Sequence, residues 1–260
     1  MRRHSIFWGI VLIVAGMLLW LQVEGYIQNV FRFFWPVSLI LVGGWIILNV
    51  FWKPEIVDGE TFTVPLESAK NAQFHFSHGA GQISISGGAA QGVALVGTSA
   101  VGMNHHSHLN GDRLEVKVDA GPSFLPFLGP EGGIWRFQLT QEVPLDLIVE
   151  AGASQIDIDL KDLRVPHIAL KTGASNSTVT MPVRGASILD VEAGAASIYV
   201  RVPENLPARI RAEQGVSSIN VDTNRFPRSD SGFYQSPNFD TSADRVEINI
   251  KAGVGSISVR

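Results

Sequence analysis

One short phrase recurs along most of this 260-residue chain: VEAGASQIDIDL, ALKTGASNSTVTM, VEAGAASIYVRV and AEQGVSSINVDT. Take Gly79, Gly152, Gly173, Gly194, Gly215 and Gly253 as origins. Five and three residues earlier stand Phe74/Phe76, Leu147/Val149, Ile168/Leu170, Leu189/Val191, Ile210/Ala212 and Ile248/Ile250. Four and six residues later stand Ile83/Ile85, Ile156/Ile158, Ser177/Val179, Ile198/Val200, Ile219/Val221 and Ile257/Val259, where Ser177 alone breaks the apolar rule. The residues between are polar: Glu192, Glu213 and Lys251 before the glycine, Asp157, Tyr199 and Asn220 after it. Alternation with period two is the signature of a strand with one buried face. Each copy therefore reads as strand, glycine-centred bend, strand, the glycine supplying a backbone angle or a close approach that a side chain forbids.

Spacing sets the architecture. Gly152, Gly173, Gly194 and Gly215 are 21 residues apart, and Gly253 follows after one further repeat plus the excess segment NRFPRSDSGFYQSPNFDTS. Gly121 also fits, with Val116/Val118 before it, Leu125/Phe127 after it, and two periods separating it from Gly79. A fixed period of this size marks units that bury their apolar face only by stacking on one another. The expected fold is mainly β: over residues 61–260, a two-sheet β-solenoid with about 21 residues per coil. Gln82, Gln155, Asn176, Ser197, Ser218 and Ser256 would form a polar ladder beside the bend. An antiparallel sandwich with coincidental turns is the competing architecture, and three equal intervals with shared apolar offsets disfavour it.

A different pattern precedes the repeats. Residues 6–23 and 33–52 are apolar runs without an ionisable side chain, each close to the roughly 20 residues that a membrane-crossing helix needs. Trp8, Trp20, Trp35, Trp45 and Trp52 lie mostly near the ends of these runs, as interfacial rings do. The short connection Glu24–Arg32 makes residues 1–56 a transmembrane helical hairpin. A cleaved signal peptide is the alternative for the first run, but no A-x-A-like site follows it. Arg2, Arg3 and Lys53 flank the spans, an excess of positive charge that places both termini, and with them the β domain, in the cytoplasm.

Little in the chain points to chemistry. A net charge of −4 and a pI near 6.0 exclude a nucleic-acid binder of the usual basic kind. The absence of cysteine excludes disulfides and thiolate metal sites. His105, His106 and His108 sit beside LNGD and read as a solvated loop, with His75 and His78 elsewhere. Asp157, Asp159 and Asp162 resemble a carboxylate row, yet the first two fall on the outward phase of a strand. The pairs Gly79/Gly81 and Gly253/Gly255 lack the helix that a phosphate loop requires. The reading is therefore a non-enzyme, with no catalytic, cofactor-binding or metal residue assigned and no cofactor. The chain stops seven residues after Gly253, so the strand SISVR is expected to be an uncovered edge and a route to homo-oligomers. Residues 223–244, with Phe226, Phe233, Tyr234 and Phe239 as anchors, are its only cover, either as a permanent cap or as a switch.

RRHSIFWGIVLIVAGMLLWL followed by FFWPVSLILVGGWIIL, with Phe34, Trp35 and Pro36 opening the second span and Gly43 and Gly44 within it, resembles the transmembrane module of the LiaI–LiaF-like family. The repeats resemble the toast-rack β domain of that family and of related putative-adhesin proteins. The resemblance implies a multi-pass protein of the bacterial cell membrane, tied to the response to cell-wall-active antibiotics and envelope stress. Its implied partners are the lipid bilayer and a membrane-bound sensor or regulatory protein, and it carries no catalytic residues over. A structural scaffold or adhesin-like protein assembling through the solenoid ends is the alternative, and a carbohydrate-acting β-solenoid the weakest of the three.

Overall fold

The computed structural model describes residues 60–99, 103–120, 133–229 and 232–260. The chain divides between Glu55 and Ile56. Both expected membrane spans lie outside the described residues, and no helix among those residues is long and apolar enough to cross a membrane. The strands are β1 (Glu60–Pro65), β2 (Asn71–Gly87), β3 (Val93–Ser99), β4 (Met103–Asn110), β5 (Arg113–Ala120), β6 (Gly133–Leu139), β7 (Leu145–Asp159), β8 (His167–Thr180), β9 (Ala186–Arg201), β10 (Ala208–Val221), β11 (Tyr234–Gln235) and β12 (Arg245–Val259).

Six of these strands are long, and each bends at its glycine. In β7, Leu145, Leu147, Val149 and Ala151 are buried before the bend, and Ser154, Ile156 and Ile158 after it. Gly152 and Ala153 are both exposed, so the buried phase switches from odd to even numbers at the bend. A straight strand cannot do this, because its side chains alternate strictly. The bend turns both arms toward one core. The long strands lie parallel and in register, with Leu147 beside Phe74 and Ile168, and Ile156 beside Ile83 and Ser177. Stacking closes the apolar rows, and burial of each Leu or Ile is worth roughly 1.5–3 kcal/mol. Ser177 is fully buried within this pattern; its hydroxyl donates to Ser175 Oγ (3.0 Å), which donates to Thr172 Oγ1 (2.9 Å).

Beyond β2 the two arms are extended separately. The first arm continues through β5 and the β4–β5 hairpin, and the second through β6, β3 and β1. Trp135 and Phe137 of β6 take the places beside Ile83 and Ile85. The partners expected there, Leu125 and Phe127, lie with Gly121 outside the described residues. The end strands of the two arms meet where Phe62 of β1 stacks on the exposed ring of His105 of β4, with ring centroids 4.1 Å apart.

At the other end the stack departs from chain order. β7, β8 and β9 follow one another, but β12 is inserted between β9 and β10. The expectation that SISVR forms an open edge is therefore wrong: Ser256–Val259 pair on both sides, with Ser197–Val200 and with Ser218–Val221. The terminal long strand of the stack is β10. The excess segment does cover it, through β11 on Arg209 and Ile210 and through the buried rings of Phe226 and Phe239. Arg209 anchors this cover, donating to Gln235 Oε1 and Asp240 Oδ1 (2.7 Å each) beneath the Phe239 ring, 4.3 Å away. Among the described residues no strand pairs with the outer edge of the second arm of β10.

Candidate functional site

The glycines of the bends lie above one another. A Cβ on Gly173 would stand 2.9 Å from the carbonyl oxygen of Gly152, one on Gly194 2.7 Å from that of Gly173, and one on Gly253 2.7 Å from that of Gly194. None of these three has a positive φ. Close approach of successive backbones, and not an unusual conformation, demands glycine here. A row without side chains leaves a groove, and this one holds about 970 Å³ along the bends. Its lining comes from three registers: the glycines, the small residues one position earlier (Ala151, Thr172, Ala193, Ala252), and the row two positions earlier.

That last row is a charge ladder. The register of β5, β2, β7, β8, β9, β12 and β10 places Asp119, Ser77, Glu150, Lys171, Glu192, Lys251 and Glu213 side by side. From Glu150 onward the sign alternates at every strand. Opposite charges on neighbouring strands stabilise a sheet by about 0.2–1 kcal/mol per pair, and like charges oppose it. Lys251 Nζ lies 3.7 Å from Glu213 Oε2, and Glu150 sits beside His75 at 3.4 Å. Lys171 and Glu192 make no ion pair among the described residues. The polar ladder beside the bend forms in the same register, and Ser197 and Ser256 hydrogen-bond within it at 2.9 Å.

Towards one end of the groove, His78 of β2 holds the position that Ala151, Thr172, Ala193 and Ala252 occupy in β7, β8, β9 and β12. Its ring is buried and meets Trp135 edge-on at 4.6 Å. Nε2 lies 3.1 Å from the Gly133 carbonyl oxygen and Nδ1 3.1 Å from Ser154 Oγ. Burial pushes its pKa below the usual histidine value, against the hydrogen bond to the Gly133 carbonyl, which raises it. A neutral ring must then carry its proton on Nε2 to donate to the carbonyl, leaving Nδ1 to accept from the serine hydroxyl. His78 thus ties β6 to β7 across β2.

The other sequence candidates do not converge. His105, His106 and His108 lie on β4 and not in a loop, paired with Val118, Lys117 and Glu115. All three are exposed, as a solvated segment requires, and the turn falls at Gly111–Asp112 with Gly111 at φ +64°. No group of three or more His, Cys, Asp or Glu side chains placed to hold a metal ion occurs among the described residues. Asp157 and Asp162 are exposed and Asp159 half-exposed, and Asp159 is occupied with Lys161 at 3.9 Å. Gly81 and Gly255 do adopt positive φ (+134° and +140°), so the second glycine of each pair serves the bend. The charge ladder escaped the sequence reading because its alternation depends on the order of strands in the stack. The sequence shows Glu192, Glu213 and Lys251 at one offset from their glycines; the missed signal is that Glu150 and Lys171 share it.

A stack of bent parallel strands with a charge-lined groove along its bends defines the class of β module to which this chain belongs. Residues 53–201 match the family described as the N-terminal domain of toast_rack, DUF2154, and the chain belongs to that family. The match ends at the last residue of β9. The fold is also that of a "putative cell adhesion protein" from Clostridium sporogenes ATCC 15579, with a TM-score of 0.68 at 19% identity over 80% of this chain and 99% of that one. A "putative adhesin" from Bacteroides fragilis NCTC 9343 aligns over 77% of this chain and 96% of its own, with a TM-score of 0.30 and 8% identity. No curated protein matches the chain.

Proposed function

We propose that this chain is a non-enzymatic, membrane-anchored regulator of the bacterial response to envelope stress, working through protein contacts of its β module. The observation that carries the reading is the groove: a long, regular, charge-lined surface attached in sequence to two apolar runs of membrane-spanning length. The LiaI–LiaF-like resemblance of residues 2–48 supplies the envelope context, and the toast-rack family supports a module for interaction. In this reading the two spans form a multi-pass anchor in the cell membrane, the solenoid-like stack lies on the cytoplasmic side, and a membrane-bound sensor or regulatory protein docks on it.

Chromosomal replacement with Lys171→Glu or Glu192→Lys, under challenge by a cell-wall-active antibiotic, tests the role. An altered induction of the envelope response with unchanged protein level supports it, and an unaltered response sinks it. Alkaline phosphatase fused after Arg260 tests the topology, since activity there would place the module outside the cytoplasm. The alternative is an adhesin-like scaffold, which the name of the Clostridium sporogenes structure favours. It requires the module to assemble in long arrays, and sedimentation distinguishes arrays from a discrete complex.

A further inference from the structure

We infer that the charged face along the glycine row is a homotypic interface, occupied by the same face of a second copy of this chain about a two-fold axis. The inference rests on reading the groove as a contact surface and names its partner.

The argument is one of charge order. Along the stack the row runs Glu150, Lys171, Glu192, Lys251, Glu213, one residue per strand. Strands are about 4.8 Å apart, so a second ladder of the same kind has the same pitch. A two-fold axis along the ladder would set every charge against its own kind, whereas one across it reverses the order of the partner's row. Laid fully in step, the reversed rows oppose like charges throughout: Glu150 to Glu213, Lys171 to Lys251, and Glu192 to itself. Shifted by one strand, with the axis between β8 and β9, they oppose only unlike charges. Lys171 then faces Glu192 of the second copy and Glu192 faces its Lys171, while Glu150 faces Lys251 and Lys251 faces Glu150. Such self-complementarity is what an isologous dimer requires. Repulsion in the in-step arrangement selects the shifted one.

Two further observations agree on the same axis. Lys171 and Glu192, which would meet across it, make no ion pair among the described residues, whereas Lys251 and Glu150 have intrachain neighbours at 3.7 Å and 3.4 Å. A shift in the other direction would also oppose unlike charges, but it sets Lys251 against Glu192 and Glu213 against Lys171, drawing on both members of the existing Lys251–Glu213 pair, where the favoured shift draws on Lys251 alone. The glycine row and the small residues before it also leave room for close approach.

A charge-swap pair tests the proposal on the full chain in detergent or nanodiscs, with mass measured by light scattering and ultracentrifugation. Lys171→Glu alone puts two carboxylate pairs across the axis, and Glu192→Lys alone puts two ammonium pairs there. Each variant should dimerise more weakly than the unsubstituted chain by roughly tenfold or more. An equimolar mixture of the two should recover the dimer, now as a heterodimer, because every opposed pair is again of unlike charge. Raising the salt from 0.05 to 0.5 M should weaken the unsubstituted dimer, as screening demands. The chain being monomeric at all soluble concentrations would overturn the inference. So would dimers indifferent to both substitutions, as contacts through the membrane segments would be, or a mixture that fails to recover, as the other shift would give. Lys171→Gln and Glu192→Gln, with thermal unfolding in parallel, guard against misfolding: each should weaken the dimer less than its charge reversal at an unchanged melting temperature, and no weakening by either would count against the interface. If the variants lose the dimer while the antibiotic response is intact, the regulatory role fails and the interface stands. If they alter the response without any dimer, the homotypic interface fails and another partner uses the groove.

Discussion

Two substitutions at equivalent places in the repeat should have opposite effects. Gly194 and Gly79 occupy the same position in β9 and β2, and neither has a positive φ. Alanine at 194 would put its Cβ 2.7 Å from the carbonyl oxygen of Gly173 and 3.6 Å from its carbonyl carbon. Ordinary contact begins near 3.4 Å, and the opposing atom is backbone held in a ladder on both sides. The coils must spread by several tenths of an ångström, an overpacking that costs about 1–3 kcal/mol. In a module of about 200 residues each kcal/mol shifts the melting temperature by roughly 2–4 °C, so Gly194→Ala should lower it by about 2–12 °C. At Gly79 nothing lies within 4 Å of an added Cβ among the described residues. There the dominant effect of alanine is to restrict the unfolded chain, which stabilises by about 0.4–1 kcal/mol. Urea melts of both variants, followed by circular dichroism and compared at equal m-values, give the sign directly. Equal losses at the two sites would refute the steric account and return the glycine row to a conformational requirement.

Leu170→Asp or Val191→Asp should prevent folding, because each side chain is at most 1% exposed and an unpaired buried charge costs several kcal/mol against a total of about 5–15. His106→Ala, on an exposed strand position, should move the melting temperature by about 2 °C or less. His78 has a lowered native pKa, so its unfolded form binds the extra proton. Its contribution is complete above the unfolded value of about 6.5 and is lost as the pH falls from there through the lower native value. His78→Gln should flatten the stability profile in that window, and an unchanged slope would show that other groups dominate. Deletion of residues 227–239 removes β11 and Phe239, and so uncovers the edge at Arg209 and Ile210. Association should rise with concentration while the amides of β7–β9 stay protected from hydrogen exchange. Loss of that protection would show the cap to be part of the core.

The period and the apolar phase were legible because they are local: every glycine-centred offset that reads as buried in β7, β8 and β9 is buried. The switch of phase at the bend follows from the same offsets. Ser177 looked like an exception and is not one, since neighbouring hydroxyls satisfy it in place. What local pattern could not show was which element completes a row. Trp135 and Phe137 do not stand at the repeat offsets from Gly121, yet they extend the second arm of β2. β4 is polar on both faces, with only Met103 and Leu109 partly buried, so His105–His108 carried no strand signal. Pairing with β5 across a two-residue turn makes it a strand.

The insertion of β12 shows the same limit most clearly, because apolar rows do not discriminate among coils. Leu189 would pack beside Ile210 as well as beside Ile248, and Ile198 beside Ile219 as well as beside Ile257. The charged row does discriminate. In chain order, Glu192 would stand against Glu213; with β12 inserted, Lys251 separates them and faces both. By the cross-strand values this avoids one unfavourable pair and gains one, about 0.4–2 kcal/mol in all. Part is given back, since chain order would set Asp190 against Arg211, where the fold instead gives Asp190 the Asn249 amide at 2.9 Å and gives Arg211 the Glu247 carboxylate. The cap tips the balance. Arg209 meets Gln235, Asp240 and the Phe239 ring only if β10 is outermost, and Ser236 both donates to the Ala208 carbonyl (2.9 Å) and accepts from its N–H (3.1 Å) on the same edge. The segment between β10 and β12 is thus more than a spacer. By binding the edge of β10 it fixes that strand as the end of the stack, and the last strand of the chain is left one place to go. That placement is also what makes the signs alternate along the groove, so the cap at one end of the module sets the charge order of the surface it offers.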